Sequence, residues 1–168
     1  PSYWTLNDKV DFLQRKILNN MTQIDLIESK IIKSEDLENL IAKWRKENQR
    51  IVFTNGCFDL LHLGHVDYLA KAKDLGERLI IGVNTDSSVK RLKGEHRPLQ
   101  DEKSRLHILA ALQSVDAVIL FDEDTPYELI KKIQPDILVK GADYKIENIV
   151  GYDIVTSRGG CVKTIEFI

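Results

Sequence analysis

Apolar residues recur along the chain with two different periods, and the change of period divides the chain into two regions. Over the first 48 residues the apolar positions are three or four apart, as in amphipathic helices. Beyond them, short apolar runs alternate with helical patterns, which is typical of βαβ units around a parallel sheet. The sequence therefore predicts an N-terminal helical extension over residues 1–48 and one α/β domain over residues 49–168.

The extension is predicted to contain two amphipathic helices. The apolar stripe of the first is formed by Leu6, Val10, Leu13, Ile17, Met21 and Ile24. The second is predicted to begin after Ser34 as N-cap, and its apolar face is formed by Leu37, Leu40, Ile41 and Trp44. An apolar stripe of this size must be covered, so we expect the extension to pack on the domain or to form a homodimer.

Five short apolar runs of the second region are predicted to be strands of one sheet. They are residues 51–53, 79–83, 115–120, 137–139 and 162–165. Between the third and fourth runs, the sequence Thr125-Pro126-Tyr127-Glu128 predicts a capping box, and Pro135 predicts the end of that helix. Ligands of open α/β sheets bind beyond the carboxyl ends of the strands, where Asn55, Asn84 and Gly141 are expected to gather.

The segment after the first predicted strand concentrates the candidate chemistry. It reads Thr54-Asn55-Gly56-Cys57-Phe58-Asp59-Leu60-Leu61-His62-Leu63-Gly64-His65. The helix that follows is predicted to end at Gly76 and to have one face formed by Val66, Leu69, Ala70 and Lys73. His62 and His65 then share one side of its first turn, where unpaired N–H groups attract anions, and Gly64 leaves space between them. A single histidine is more often an ordinary surface or core residue, but the pattern after a strand favours phosphate binding.

Positive charge is concentrated between residues 90 and 107. The cations are Lys90, Arg91, Lys93, Arg97, Lys103 and Arg105. Composition alone fits a solvated surface equally well, but Gly94 and Pro98 indicate a loop near the expected mouth of the site. Asp86, just before this stretch, is predicted first as the N-cap of a short helix.

Overall charge and cysteine usage exclude several classes of function. The net charge of −2 and the pI of about 6.1 do not favour nucleic acid or an anionic membrane. No run approaches 18 apolar residues, and neither a dinucleotide-binding nor a P-loop glycine pattern occurs. Cys57 and Cys161 form no metal motif and need no disulfide. We therefore expect a cytoplasmic protein that binds neither membranes nor nucleic acid.

These motifs together resemble the cytidylyltransferase-like family of nucleotidyltransferases. The resemblance covers residues 31–168 and is carried by the histidine segment, Arg91-Leu92-Lys93-Gly94, Arg97-Pro98, Arg105 and Val139-Lys140-Gly141-Ala142-Asp143-Tyr144. It implies a Rossmann-like fold with an open parallel sheet in the order 3-2-1-4-5. It is greatest with the D-glycero-β-D-manno-heptose 1-phosphate adenylyltransferases of lipopolysaccharide core synthesis. That implies AMP transfer from ATP to a sugar 1-phosphate, with release of pyrophosphate.

The resemblance also implies roles for individual residues. The implied catalytic residues are His62, His65, Lys93 and Arg105, of which the last two would neutralise the triphosphate and the departing pyrophosphate. The implied nucleotide-binding residues are Asn55, Gly56, Cys57, Phe58, Gly64, Arg97, Gly141 and Asp143. Mg²⁺ is expected as a cofactor that bridges phosphates, without a dedicated metal site in the protein. For Asp59, magnesium binding and the fixing of its own turn are equally good interpretations. For Asp143, contact with the nucleoside and a place in an Asx turn are equally good interpretations.

Two alternatives stay open at this point. A glycerol-3-phosphate cytidylyltransferase would resemble the same histidine motif. A nucleotide-binding regulatory module of low activity is the other, because the Ser/Thr-rich turn usual in the family after the fifth strand does not occur before Ile168. A sugar kinase does not fit into 168 residues, so we expect it to be a separate protein.

Overall fold

In this computed structural model, residues 20–143, 145–166 and 168 are described, and they form a five-stranded sheet covered by helices. The strands are β1 (Ile51–Gly56), β2 (Arg78–Asn84), β3 (Ala117–Phe121), β4 (Ile137–Gly141) and β5 (Cys161–Ile165). The helices are α1 (Gln23–Glu28), α2 (Leu37–Lys46), α3 (Leu63–Lys73), α4 (Asp86–Lys93), α5 (Glu102–Ala110), α6 (Tyr127–Ile133) and α7 (Tyr152–Ser157), with a 3₁₀ turn at Ile146–Asn148.

All four strand pairings are parallel, and the strand order is β3-β2-β1-β4-β5. The Rossmann-like α/β fold, the five strands and their order are therefore confirmed. The chain moves outwards from β1 through β2 to β3 and then crosses back to β4 on the other side of β1. The carboxyl ends of β1 and β4 consequently form the crevice in which open α/β sheets bind ligands.

Alternate residues of each strand face two separate cores. In β1, Ile51 and Phe53 point into a core that also contains residues of α2, α6 and α7, whereas Val52 points into a core with α3 and α5. Because both faces of the sheet are covered, the strands are almost continuously apolar instead of alternating with polar residues.

The described part of the N-terminal extension packs on the sheet. Ile32 donates its N–H to the carbonyl of Val118 in β3, and the N–H of Val118 is donated to Lys30. The predicted apolar face of α2 is confirmed, since Leu37 and Trp44 are buried. This face covers the sheet beside α6, so α2 contributes to the core of the domain.

The predicted helix boundaries in the extension differ from the structure. A first helix running on through Ile24 is wrong, because Thr22 has an extended backbone and caps a new helix by a capping box with Asp25. Its more N-terminal stripe, from Leu6 to Ile17, lies outside the described residues. Ser34 is not the N-cap of α2, which follows Asp36 without any side-chain cap.

Two further caps were predicted incorrectly. At α6 the N-cap is Pro126 itself, and no side chain accepts a bond there, so the capping box is absent. At α4 the N-cap is Thr85, whose hydroxyl accepts the N–H of Ser88, and Asp86 is the first helical residue. In both helices, the residue next to the predicted cap has the backbone conformation of the N-cap. The predicted end of α6 before Pro135 is confirmed.

The predicted apolar face of α3 was right at Leu69 and wrong at Val66 and Ala70. Leu69 is buried together with Tyr68 and Ala72, whereas Val66 and Ala70 are exposed. The physical reason is a buried hydrogen bond of 2.8 Å between the hydroxyl groups of Tyr68 and Thr54 of β1. This bond satisfies the polar end of Tyr68 and lets its ring take part in the core.

Cys57 and Cys161 are free thiols. Within the described residues, no helix is both long and apolar enough to cross a bilayer.

Replacement of two glycines that flank α7 should separate backbone strain from overpacking. Gly151 and Gly159 both have positive φ angles, of 92° and 79°. A Cβ on Gly151 would lie 2.7 and 2.9 Å from atoms of buried Ile130, but one on Gly159 would meet nothing within 4 Å. Gly159→Ala should lower the free energy of unfolding by about 1 kcal/mol, and Gly151→Ala by about 2–4 kcal/mol. Urea denaturation measures both, and equal losses would contradict this account.

Candidate active site

A cavity of about 350 Å³ opens at the carboxyl ends of β1 and β4. It lies at the crevice that the strand order predicts. Its lining residues are Asn55, Gly56, Cys57, Phe58, His65, Tyr68, Lys93, Lys140, Gly141 and Asp143. The cavity thus collects the ends of two strands, the first turns of α3 and the last residue of α4. Asn84, which was expected here, is buried beside it, where its amide oxygen lies 3.8 Å from the sulfur of Cys57.

His62 forms the N-terminal cap of α3. Its backbone is extended, and its Nδ1 accepts the N–H of Gly64 over 3.1 Å. Because Nδ1 is an acceptor in this bond, the neutral ring carries its hydrogen on Nε2, which remains the donor. A Cβ on Gly64 would lie 3.0 and 3.1 Å from atoms of the His62 ring, so a larger residue here would press on this cap.

His65 lies one helical turn further, directly against His62. The centroids of the two rings are 4.0 Å apart, and Phe58 packs edge-on against His65 at 5.5 Å. Burial lowers the pKa of His65, and the neighbouring His62 and Lys93 lower it further. His65 is therefore a neutral imidazole at neutral pH in the free protein.

Two lysines enter the cavity from opposite sides. Lys93 is the last residue of α4, and Gly94 follows it with a φ angle of 97° that ends the helix. Lys140 lies in β4, and its Nζ donates a hydrogen bond to the amide oxygen of Asn55 in β1. Burial lowers the pKa of Lys140 to about 8.

Arg105 is fully buried behind the cavity and is not among the residues that line it. Its Nη1 donates to the carbonyl of Cys57 at 2.7 Å, its Nε to the carbonyl of Gln100 at 3.1 Å, and its Nη2 to Asp86 at 2.8 Å. The guanidinium therefore fixes the loop that follows β1. The structure does not bring it to the position of the predicted triphosphate contact.

Asp59 has a similar structural role next to Arg105. Its side chain is 5% exposed and accepts hydrogen bonds from the guanidinium of Arg97 and from the backbone N–H groups of Leu99 and Gln100. Although burial opposes ionisation, these donors hold the pKa of Asp59 below its usual value. Of the two open interpretations, the geometry favours the fixing of loops over magnesium binding. Arg97, predicted to bind the nucleotide, is engaged in this contact and does not line the cavity.

The structure brings most of the predicted site residues together. Those that line the cavity are Asn55, Gly56, Cys57, Phe58, His65, Lys93, Gly141 and Asp143. His62 and Gly64 adjoin it through the contact with His65, whereas Arg97 and Arg105 lie behind the loop. Tyr144 is outside the described residues.

Sequence reasoning missed two residues of the cavity, Tyr68 and Lys140. Lys140 was recognisable as a lysine directly after the apolar run of β4, in a position where a solvated charge is unusual. Tyr68 had no comparable indication, because its role depends on the hydroxyl of Thr54 on a different element.

Several known proteins resemble this chain in sequence. The chain is 56% identical over 141 residues to the bifunctional protein HldE of Citrifermentans bemidjiense and 52% identical over 157 residues to that of Rhodopseudomonas palustris. These matches cover 84% and 93% of the chain. The chain spans only 29% and 32% of the length of these relatives.

Solved structures agree with this similarity. A lipopolysaccharide core biosynthesis protein from Thermoplasma volcanium superposes with a TM-score of 0.58 at 34% identity, over 71% of this chain and 97% of that one. A pantoate-beta-alanine ligase from Francisella tularensis has a TM-score of 0.59 at 17% identity, over 81% of this chain and 66% of that one, which shows a shared fold only.

The family model described as cytidylyltransferase-like matches residues 53–159, which include most of β1, all of β2 to β4, α7 and every residue that lines the cavity. Because this match extends over more than half of the chain, the protein belongs to the cytidylyltransferase-like family of nucleotidyltransferases.

Proposed function

We propose that the domain transfers AMP from ATP to D-glycero-β-D-manno-heptose 1-phosphate, giving ADP-heptose and pyrophosphate. The observation that carries this proposal is that His65, Lys93 and Lys140 line one cavity at the N-terminus of α3, with the ring of His62 directly against His65. Such a set of donors suits a polyphosphate. The similarity to the lipopolysaccharide core biosynthesis protein supports a sugar phosphate as the second substrate.

For this reaction, the positioning of the two anionic substrates matters more than a general base. An oxygen of the sugar phosphate attacks the α-phosphorus of ATP, the bond to the β-phosphate breaks, and pyrophosphate leaves with the negative charge. Since the attacking oxygen is already ionised, no side chain has to remove a proton. The protein therefore contributes by holding two anions in line and by stabilising charge in the transition state.

The described residues can divide this work between them. His62 Nε2 and His65 would donate to the α- and β-phosphates at the positive end of the α3 dipole. Lys93 and Lys140 would neutralise charge from the two sides of the cavity. Arg105 and Asp59 would act indirectly, because they hold the loop that carries these donors.

Mg²⁺ fits this site only as an ion that binds together with the nucleotide. Among the described residues, no three His, Cys, Asp or Glu side chains converge as a metal site, and Asp143 is a single carboxylate at the cavity. The ion would bind mainly to phosphate oxygens and water, and it would supply further charge neutralisation there. The cytoplasmic location, the homodimer and the separate sugar kinase stay predictions.

Substrate choice tests the proposal directly. Pyrophosphate release should be measured for four nucleotides, each with heptose 1-phosphate, other sugar phosphates and glycerol 3-phosphate. ATP with the heptose phosphate should exceed CTP with glycerol 3-phosphate by at least about 10² in kcat/KM, because polar groups of the site are left unpaired by the wrong base. If CTP with glycerol 3-phosphate were faster, the protein would be a glycerol-3-phosphate cytidylyltransferase. Background rates for all pairs would favour the regulatory module.

Removal of His65 should affect turnover much more than folding. His65→Ala is expected to lower kcat by about 10² to 10³, the usual loss for one donor to the transition state. His107→Ala is the matched control, because His107 lies on α5 and contacts Lys103 and Glu28 outside the cavity. Steady-state kinetics together with far-UV circular dichroism would measure both effects. A kcat close to that of the wild type would rule out His65 as a donor.

Arg105 is expected to act through loop position and stability. Arg105→Met leaves the carbonyl of Cys57 without its donor and Asp86 without its counter-ion, so the free energy of unfolding should fall by about 3–5 kcal/mol. Chemical denaturation measures this loss. Asp86→Asn is the matching variant on the other side of this ion pair, because it removes the charge of Asp86 and keeps the shape of the side chain. A direct triphosphate contact would instead raise KM for ATP in Arg105→Met and leave stability unchanged.

A further inference from the structure

Lys140 is the residue of the cavity whose chemistry the histidine motif does not explain. It is the fourth residue of β4, and the three strand residues before it are buried and apolar. Its Nζ donates to the amide oxygen of Asn55, which is an uncharged acceptor. Among the ion pairs of the described residues, none includes Lys140. A partly buried ammonium group is thus held in place without a contacting carboxylate.

The neighbouring titratable groups carry charges of both signs. The groups at or beside the cavity are His62, His65 and Tyr68 at the start of α3, Lys93 from α4, Arg105 from α5 with its counter-ion Asp86, Cys57 and Asp59 from the loop after β1, and Asp143 after β4. Burial raises the pKa of the Cys57 thiol, although Lys93, Arg105 and Lys140 oppose this shift, so the thiol stays neutral. Burial likewise raises the pKa of Tyr68 to about 12. On β5, the residue paired with Lys140 is the uncharged Thr164.

We propose that Lys140 binds a phosphate of the incoming nucleotide, and that its Nζ, wherever it is still neutral, takes up a proton from solvent as this anion enters the cavity. This inference rests on the proposed function, since the anion is taken to be the triphosphate of ATP. Asn55 is then a positioning residue, because its amide oxygen holds Nζ towards the cavity in both states.

The direction in which nucleotide affinity changes with pH follows from the burial of Lys140. With a pKa of about 8 in the free protein, Lys140 is half charged at pH 8. A phosphate within hydrogen-bond distance should restore a pKa near the ordinary lysine value of about 10.4. Because the pKa is higher in the complex, nucleotide affinity is complete below pH 8 and is lost as pH rises towards 10. The Kd for Mg-ATP should therefore be about tenfold weaker at pH 9.5 than at pH 8.

Isothermal titration calorimetry can count the proton. Mg-ATP is titrated into the full-length protein, without an acceptor, at pH 7, 8 and 9 in pairs of buffers with different ionisation enthalpies. The wild type should take up about 0.1 proton at pH 7, about 0.5 at pH 8 and about 0.9 at pH 9. ATP itself is fully ionised at pH 8 and 9, and His65 is already neutral there, so neither accounts for uptake that grows with pH.

Lys140→Arg is the decisive variant, because arginine keeps the charge but does not titrate in this range. It should still bind Mg-ATP, should lose the proton uptake at pH 8 and 9, and should show a Kd that does not change with pH. Lys131→Arg, an exposed position on α6, is the matched control and should behave like the wild type. If Lys140→Arg does not fold, the Lys140 resonance of lysine-labelled wild type, followed by NMR with and without Mg-ATP, should move its midpoint from about 8 to above 9.

The outcomes separate this inference from the proposed function. Binding of Mg-ATP without proton uptake, or uptake that persists in Lys140→Arg, overturns the role of Lys140 and leaves the adenylyltransferase proposal standing. Uptake that occurs only with heptose 1-phosphate would assign Lys140 to the acceptor and overturn the nucleotide contact. Absence of Mg-ATP binding to the wild type would overturn both.

Discussion

The buried guanidinium of Arg105 is the interaction on which the geometry of the site depends. It joins the carbonyl of Cys57, the carbonyl of Gln100 and the carboxylate of Asp86, which belong to three different segments of the chain. A planar group with donors in fixed directions meets this need better than a flexible ammonium. The loop after β1 is held from behind in this way, and its front surface remains available for a ligand.

Asp59 completes this support on the same loop. It receives two backbone N–H groups and the guanidinium of Arg97, so the segment around residues 97–100 is tied to the start of the histidine motif. Asp59 therefore acts as a hydrogen-bond acceptor that joins two loops. Breaking a buried network of this type costs more than the loss of a surface ion pair, because each partner would remain desolvated without compensation.

The cavity in front of the loop differs from this paired network, because its positive groups are poorly compensated by negative charge. His62 caps α3, His65 remains neutral, and Lys93 and Lys140 approach from α4 and β4. Burial keeps the charge on Lys140 marginal until an anion arrives. A site of this kind favours a polyanion over neutral ligands and places donors where negative charge develops during phosphoryl transfer.

The sequence by itself determined the fold class and the five strands, and it indicated where the candidate site would lie. Strands such as 51–53 and 79–83 were recognisable because a sheet covered on both faces needs uninterrupted apolar runs, and the histidine motif is local, so its spacing alone puts both rings on one helical turn. The strand order came from the family resemblance and was confirmed. The choice between Thr85 and Asp86 as a cap was decided by the local backbone, which neighbouring polar residues compete to occupy.

Tertiary structure decided the roles that depend on contacts between distant segments. Arg105 and Lys93 are equivalent as cations in the sequence. In the structure, Arg105 is buried and donates to the carbonyl of Cys57, which lies 48 positions away in the chain, whereas Lys93 lines the cavity. Tyr68 became part of the core only because the hydroxyl of Thr54 satisfies it, and Lys140 entered the site only because β4 lies beside β1. Burial and hydrogen-bond partners are properties of the packed chain, and they distinguish a ligand-binding charge from a structural one.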